Sequence, residues 1–244
     1  MNTRIPWYYI WSPRYEIFHR MIQYAFTTKQ ELSLNFNDRP IFYEQSFFTK
    51  NLSTKDKEHP FQGCNAKVDL VLDCIENNMD KYFLFTDADI YIHSDKVKDM
   101  CQPFIDANKD MVFMKEENDD GSAVNIGFIL IKGNEKTKQF WLDVQKCVAE
   151  TKGHDQGICN NLLPLWNGTW DLFDRRKVCS SKTLRGDFVI FQALCSCHGY
   201  IQDMAEKLAN MAMLTNINPF LSLVEPEIIP HLIKLHNYIK SVQH

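Results

Sequence analysis

The sequence predicts an α/β fold, with a mostly parallel central sheet covered by helices on both faces. Two observations carry this. Strand-like and helix-like segments alternate along most of the chain, the pattern that builds parallel sheets with helical layers. The strand candidates are also short continuous apolar runs, such as YFLF (Tyr82 to Phe85) and IGFILI (Ile126 to Ile131), which suit strands buried on both faces. The 244 residues fit one large domain with a small appendage. We place the main domain at 1–215 and a C-terminal helical extension, packed on it, at 216–244.

WYYIW (Trp7 to Trp11) is a compact aromatic strand. Ser12-Pro13 reads as a helix start, with Ser as the cap and Pro in the first helical position. Tyr15, Phe18, Ile22 and Ala25 follow at helical spacing. Ile41 to Tyr43 is a second strand. Val68, Val71, Leu72 and Ile75 then form one apolar stripe on a helix. YFLF ends in Thr86-Asp87-Ala88-Asp89, and strand text resumes with IYI. MVFM (Met111 to Met114) and IGFILI are further strands. Gly133-Asn134 turns the chain into a helix with Phe140, Trp141, Val144 and Val148 facing inward. Another helix opens near Asp155. FVIFQAL (Phe188 to Leu194) is the last clear strand, followed by a helix around Met204 to Met213. Pro219, Pro226 and Pro230 break the text beyond Asn216, and an amphipathic helix from about His231 packs back on the domain.

Net charge is −4, from 27 basic and 31 acidic residues, which argues against a nucleic-acid binder. The 8 cysteines include no CxxC pair, so a structural zinc site is not expected. Cys64, Cys74, Cys101 and Cys147 fall singly and read as reduced, mostly buried thiols. Neither a signal peptide nor an apolar run long enough to span a bilayer is visible, and a cytoplasmic protein is expected. Against that background the sequons at Asn51 and Asn167 carry little weight.

The chemistry concentrates in Asp87-Ala88-Asp89, where two carboxylates sit one residue apart at the end of a buried strand. Open α/β sheets bind ligands beyond the carboxyl ends of their strands. Hard divalent cations take oxygen ligands, and Mg²⁺ typically uses one or two carboxylates plus substrate phosphates. Asp87 and Asp89 thus suit a cation held against a diphosphate, where it neutralises charge on a leaving nucleotide. The plain alternative is a polar loop that caps a strand.

Around this motif the chain resembles the nucleotide-diphospho-sugar transferases of the GT-A fold, a Rossmann-like class. The resemblance runs from about Trp7 to Lys207 and rests on five pieces in family order. RPIFYEQSFF (Arg39 to Phe48) is similar to the second-strand region. Gly63 and Lys67 head the helix before the motif. FTDADIYIHSD is the D-x-D strand and its exit. NIGFILIKGNEKTKQFW (Asn125 to Trp141) is similar to the family's Asn-x-Gly-Phe strand and following helix, and HDQGICNNLL (His154 to Leu163) to its Asp-Gln-x-x-x-Asn helix start.

The resemblance implies a metal-dependent glycosyltransferase that moves a sugar from a nucleotide-diphospho-sugar, UDP-linked as is common in the family, to a glycan or other hydroxyl acceptor. Asp87 and Asp89 would handle Mn²⁺ or Mg²⁺ and the donor, with Asp89 the more direct ligand and Ala88 between them. Lys67 would lie near the donor phosphates or sugar; the bland reading is a solvated helix lysine. Asn125 and Gly127 would line the donor-sugar pocket, although a glycine in a strand also marks bulges. Asp155 and Gln156 would face the sugar as the catalytic pair, with retention of configuration. Trp11 lies where such folds hold the base, and is otherwise a core aromatic. Many relatives complete the metal site with a late His. Here FQALCSCHGY places Gln192 where that His is expected and His198 slightly later, and His198 is taken as the third ligand. Cys195 and Cys197 alternate onto one face, as a soft-metal pair or as two buried thiols.

Two other readings compete. A haloacid-dehalogenase-type phosphatase also uses Asp-x-Asp after an apolar strand, with the first Asp as nucleophile. The motif's distance from the N-terminus, and the Asp119-Asp120 pair following so soon, argue against it. A non-catalytic sugar-binding module is the other, and the intact set Asp87, Asp89, Asn125, Asp155 and Gln156 argues against that.

Overall fold

The computed structural model describes residues 5–29, 41–44, 59–116, 123–181, 188–195 and 199–242. Nine strands alternate with seven α-helices among them. Strands β1 (Trp7–Trp11), β2 (Ile41–Glu44), β3 (Tyr82–Asp87), β5 (Met111–Lys115), β6 (Val124–Lys132) and β7 (Trp170–Leu172) form a six-stranded sheet in the order β2-β1-β3-β6-β5-β7. β1 pairs in parallel with β2 and β3, and β5 with β7, while β6 runs antiparallel to both β3 and β5. The fold is the mixed α/β class expected, mostly parallel, with β6 reversed.

Two strands read as parts of that sheet belong elsewhere. β4 (Ile90–Ile92) leaves the main sheet after Asp89 and pairs with β9 (Ile190–Gln192), which pairs in turn with β8 (Val178–Ser180). The apolar run Phe188 to Leu194 is longer than the strand it contains, because its partners β4 and β8 are three residues each and pair with only three residues of it.

Side chains alternate across the main sheet at period two and feed two cores. On one face Tyr8, Phe83, Phe85, Met111, Phe113, Ile129 and Ile131 pack under α2 (His59–Asn77), α4 (Glu135–Thr151) and α5 (Asp155–Leu162). The stripes read from sequence are there: Val68, Val71, Leu72 and Ile75 from α2, and Phe140, Trp141, Val144 and Val148 from α4. On the other face Trp7, Tyr9, Leu84, Val112, Phe128 and Leu130 pack against α1 (Glu16–Thr28), α3 (Val97–Asp106), α6 (Tyr200–Ala212) and the small sheet. Ile228, just before α7 (Ile229–Val242), and Leu232, in its first turn, enter the same core. No described helix is long and apolar enough to cross a membrane.

Ser12 does not cap as expected. Its side chain makes no capping hydrogen bond; its carbonyl accepts from Tyr15 N at 2.7 Å, and Pro13–Tyr15 form a 3₁₀ turn before α1 begins. A 3₁₀ turn closes its bonds one residue earlier than an α-helix, so the first free N–H meets backbone and needs no hydroxyl. The Gly133-Asn134 turn is capped as a full box: Asn134 accepts from Thr137 N, and Thr137 Oγ1 accepts from Asn134 N. Beside it, Asp110 accepts from Thr169 N at 2.8 Å, Thr169 Oγ1 at 2.9 Å and Asn134 Nδ2 at 2.8 Å. Burial works against that charge, and the three hydrogen bonds outweigh it, so the Asp110 carboxyl stays below its ordinary range. This group ties β5, β7 and α4 together at the edge of the sheet where β6 ends.

Gly133 at this edge sits hard against the turn after α2. A β-carbon there would lie 2.2 Å from the Asn78 carbonyl oxygen and 2.7 Å from its carbon. Backbone cannot swing aside as a side chain does. Gly133→Ala is expected to lower stability by about 1–3 kcal/mol, read as a lower urea midpoint with an unchanged slope. An unchanged midpoint would show that the turn yields.

Candidate active site

The carboxyl ends of β1, β3 and β5 and the start of β6 share one edge of the main sheet, since β6 is reversed. In the register of β1 and β3, Ile10 faces Asp87, so Trp11 lies just beyond the same crest. Asp87 is the last residue of β3. Ala88 turns its methyl into the core, and Asp89 is 5% exposed. Thr86 is anchored below them by Trp7 Nε1, which donates to its hydroxyl at 3.0 Å.

Each carboxylate has an outer and an inner oxygen. Lys67, on α2, pairs with Asp87 Oδ1 at 2.7 Å; Lys207, on α6, pairs with Asp89 Oδ2. The inner oxygens face a third group. Gln192, at the end of β9 and 3% exposed, places its Nε2 3.3 Å from Asp87 Oδ2 and 3.4 Å from Asp89 Oδ1. Its Oε1 is buried without a hydrogen-bond partner, a condition that costs on the order of 1–3 kcal/mol. Burial pulls the Lys67 pKa down, and Asp87, Asp155 and Asp89 together more than reverse that, so it is raised. Lys207 is likewise raised despite its burial, chiefly by Asp89, and its ammonium lies 5.2 Å over the Tyr15 ring. Both lysines are cations throughout the working pH range.

Asn125 and Gly127 lie at a break in β6. Met111 to Phe113 of β5 face Ile131 to Ile129, but Met114 faces Asn125, so 126–128 form a bulge with no partners on β5. The bulge inverts the alternation: Val124 and Ile126 share a core with Ile129 and Ile131. Within it Gly127 N donates to Asn125 Oδ1 at 2.7 Å. The missing side chain of Gly127 is filled by Gln192, whose Nε2 would stand 2.1 Å from any β-carbon there. The bulge that a glycine in a strand can mark is therefore present at Gly127.

Asp155 and Gln156 open α5 beside this bulge. Asp155 is 5% exposed and accepts from Gln156 N at 2.8 Å. The Gln156 carboxamide is engaged at both ends: Oε1 accepts from Ile126 N at 3.3 Å, and Nε2 donates to Glu116 Oε2 at 2.6 Å. One turn on, Asn160 accepts from Val124 N and donates to Val124 O. Glu116 also accepts from Asn125 Nδ2 at 3.2 Å, so one carboxylate ties Asn125 and Gln156 together. At the far side of the crest Trp11 stacks on His19 at 4.2 Å and 9°, and Tyr9 Oη meets His19 Nδ1 at 2.8 Å.

The structure thus gathers Lys67, Asp87, Ala88, Asp89, Asn125, Gly127, Asp155, Gln156 and Trp11 along one crest. His198 and Cys197 lie outside the described residues. Sequence reasoning passed over Lys207, Glu116 and Tyr15. Lys207 carried a signal: it interrupts the apolar stripe of Met204, Leu208 and Met211, and a lysine on a buried face needs a partner. Glu116 follows strand MVFMK as Asp87 ends YFLFTD. The inner oxygens of Asp87 and Asp89, aimed at one point, are the hard donors that Mg²⁺ or Mn²⁺ takes, so the residues fit such a cation. Among the described residues no three His, Cys, Asp or Glu side chains gather as a ready cluster.

Residues 19–179 match the family profile described as nucleotide-diphospho-sugar transferase. A solved structure titled as a glycosyltransferase involved in the glycosylation of the major capsid of PBCV-1 aligns with TM-score 0.55 at 15% identity, covering 85% of this chain and 100% of that one, and shares the fold. Two weaker likenesses are GlyE of Streptococcus pneumoniae TIGR4 (TM-score 0.41, 12% identity, 71% of this chain and 46% of that) and the bifunctional WbbM (0.48, 8%, 92% and 52%). This chain spans about half the length of each, and neither carries an argument. Curated proteins give no match. The fold and the profile define a glycosyltransferase. The chain belongs to the nucleotide-diphospho-sugar transferase family, which displaces the phosphatase reading.

His19 generates a pH prediction. Burial depresses its pKa from 6.5 to about 4. The unfolded chain then binds a proton below pH 6.5 that the folded chain refuses until about pH 4. Stability is expected to fall as pH drops through that window, and to fall less steeply in His19→Gln. Parallel urea midpoints for the two proteins from pH 7 to 4 check it; equal slopes would show that His19 titrates normally.

Proposed function

We propose that the chain transfers a sugar from a UDP-linked donor to a hydroxyl of a glycan or other acceptor, with retention and with Mn²⁺ or Mg²⁺ as cofactor. The observation that carries this is the pair of inner oxygens, Asp87 Oδ2 and Asp89 Oδ1, turned to one point beyond the carboxyl ends of the strands. Asp87 and Asp89 would hold the cation. When bound, it supplies positive charge to the leaving diphosphate. Lys67, already within the field of Asp87, Asp155 and Asp89, offers a second positive charge to the donor. Trp11, backed by His19, serves as a flat platform for the base. Asn125 and Gly127 line the sugar, with Glu116 and Gln156 fixing their positions.

The transfer breaks the bond from the anomeric carbon to the phosphate oxygen and forms one to the acceptor oxygen. With retention the acceptor arrives on the nucleotide's own face, and its proton passes to the leaving phosphate oxygen. The carbon becomes oxocarbenium-like on the way, as in glycoside hydrolysis. Asp155 places a buried negative charge near the ring, stabilising that positive charge, while Gln156 holds the bulge rigid.

Incubation with a panel of nucleotide sugars and Mn²⁺, scored by nucleoside diphosphate release, is expected to single out a donor. Excess EDTA should abolish release; full activity in EDTA would remove the cation from the mechanism. Asp89→Ala would strand the Lys207 ammonium in a buried place, so Asp89→Asn is the cleaner variant. It should lose nearly all turnover while keeping its fold.

Asp155→Asn should cut turnover by roughly 10²-fold or more while nucleotide binding is largely kept. The product's anomeric proton, read by NMR, tests the stereochemistry. An inverted product would overturn retention and recast Asp155 as a general base.

A further inference from the structure

We infer that Gln192 is the third protein ligand of the cation, binding through its carboxamide oxygen and giving an all-oxygen donor set with Asp87 Oδ2 and Asp89 Oδ1. This rests on the reading above that a divalent cation works at this crest. It assigns to β9 a role that sequence gave to His198.

The geometry begins with one atom. Gln192 Nε2 stands 3.3 Å from Asp87 Oδ2 and 3.4 Å from Asp89 Oδ1, nearly equidistant from the two inner oxygens. An octahedral Mg²⁺ with bonds of about 2.1 Å sets neighbouring ligand atoms about 3.0 Å apart. The two observed spacings lie a few tenths of an ångström beyond that edge, so the Gln192 carboxamide stands at about ligand-to-ligand distance from each of the two inner oxygens. Only the identity of the amide atom is wrong for ligation, because nitrogen points inward and oxygen away.

That is corrected without moving the backbone. The carboxamide is flat, and its two ends are similar in size. A half-turn about its last torsion, a soft rotation, brings Oε1 to the inner position. As placed, the NH₂ donates to both carboxylates, and Oε1 is a buried acceptor with no hydrogen-bond partner. A cation supplies that acceptor with the partner it lacks.

The surroundings hold the amide in place. Gly127 leaves the room it fills, since a β-carbon there would overlap Nε2 and Oε1 at 2.1 and 2.6 Å. β9 is locked to β4 by the pairing of Ile90 with Gln192, one residue after Asp89. Lys67 and Lys207 take the outer carboxylate oxygens and leave the inner ones to the cation. Such outer-shell partners orient ligands in established metal sites.

The test is Mn²⁺ binding, followed by electron paramagnetic resonance of the protein with UDP present. Wild type is expected to bind Mn²⁺ without the strong ¹⁴N coupling of a directly bonded imidazole in its pulsed spectrum. Gln192→Leu should weaken binding at least 10-fold. Gln192→Glu, which keeps an oxygen at the position, should bind at least as tightly as wild type. Gln192→His should introduce the imidazole coupling. Thermal melts confirm that each variant is folded. An imidazole coupling in wild type that vanishes in His198→Ala would overturn the inference and give the position to His198. Wild-type affinity in folded Gln192→Leu would overturn it while leaving the cation reading intact. No Mn²⁺ binding by wild type, with or without UDP, would remove the cation and this ligand together.

Discussion

Two negative charges at the end of one buried strand are the constraint from which the rest of the crest follows. The inner oxygens of Asp87 and Asp89 lie within about 7 Å of each other, as their shared neighbour Gln192 requires. At that separation, with an effective dielectric near 20, like charges repel by on the order of 2–3 kcal/mol. The chain answers with two lysines that arrive from opposite faces of the sheet: Lys67 from the helix over one core, Lys207 from the helix over the other. The charge balance of the site therefore depends on both helical layers being docked. Neither half of the fold can present the two carboxylates by itself.

The same edge shows a second kind of economy, in backbone. A three-residue bulge in β6 frees the Gly127 region from its β5 partners, and the freed groups are taken up at once. Gly127 N donates to Asn125 and Ile126 N to Gln156, and just before the bulge Val124 exchanges two bonds with Asn160. α5 is thereby stitched to β6 by side chains at its first turns. The Asp-Gln-x-x-x-Asn pattern has a structural reason for its spacing, since residues four apart share one helix face. Glu116 then joins Asn125 to Gln156, which makes this side of the crest one connected network of polar groups with few independent motions.

Much of this was legible in the sequence. The apolar runs announced buried strands, and the stripes on α2 and α4 announced which residues turn inward. The strand-end carboxylates gave the crest. Three things were hidden for physical reasons. The inversion at the bulge left no trace in the pattern beyond Gly127 itself, because Val124, Ile126, Ile129 and Ile131 are all apolar and a strand buried on both faces has no alternation to interrupt. The second sheet was invisible because IYI and FVIFQAL look the same whether they pair with β3 or with each other. Register belongs to the partner as much as to the strand. The pairing of Asp89 with Lys207 spans 118 positions, and local patterning carries no information over such a gap. His198 and the segment beside it fall outside the described residues, so the late-His pattern stays an expectation from sequence.

The staple around Asp110, Thr169 and Asn134 sits at the opposite end of the strands from the carboxylates. The six residues of β3 separate the two ends by roughly 20 Å. On the proposed function, foldability and reactivity are therefore written into different ends of the same strands. A lineage carrying this sheet is free to trade residues at the reactive end, accepting new sugars or new hydroxyls, while the far end keeps the chain foldable. Selection acting on one end meets little resistance from the other, and loops near the carboxylates can diverge in sequence long before the architecture does.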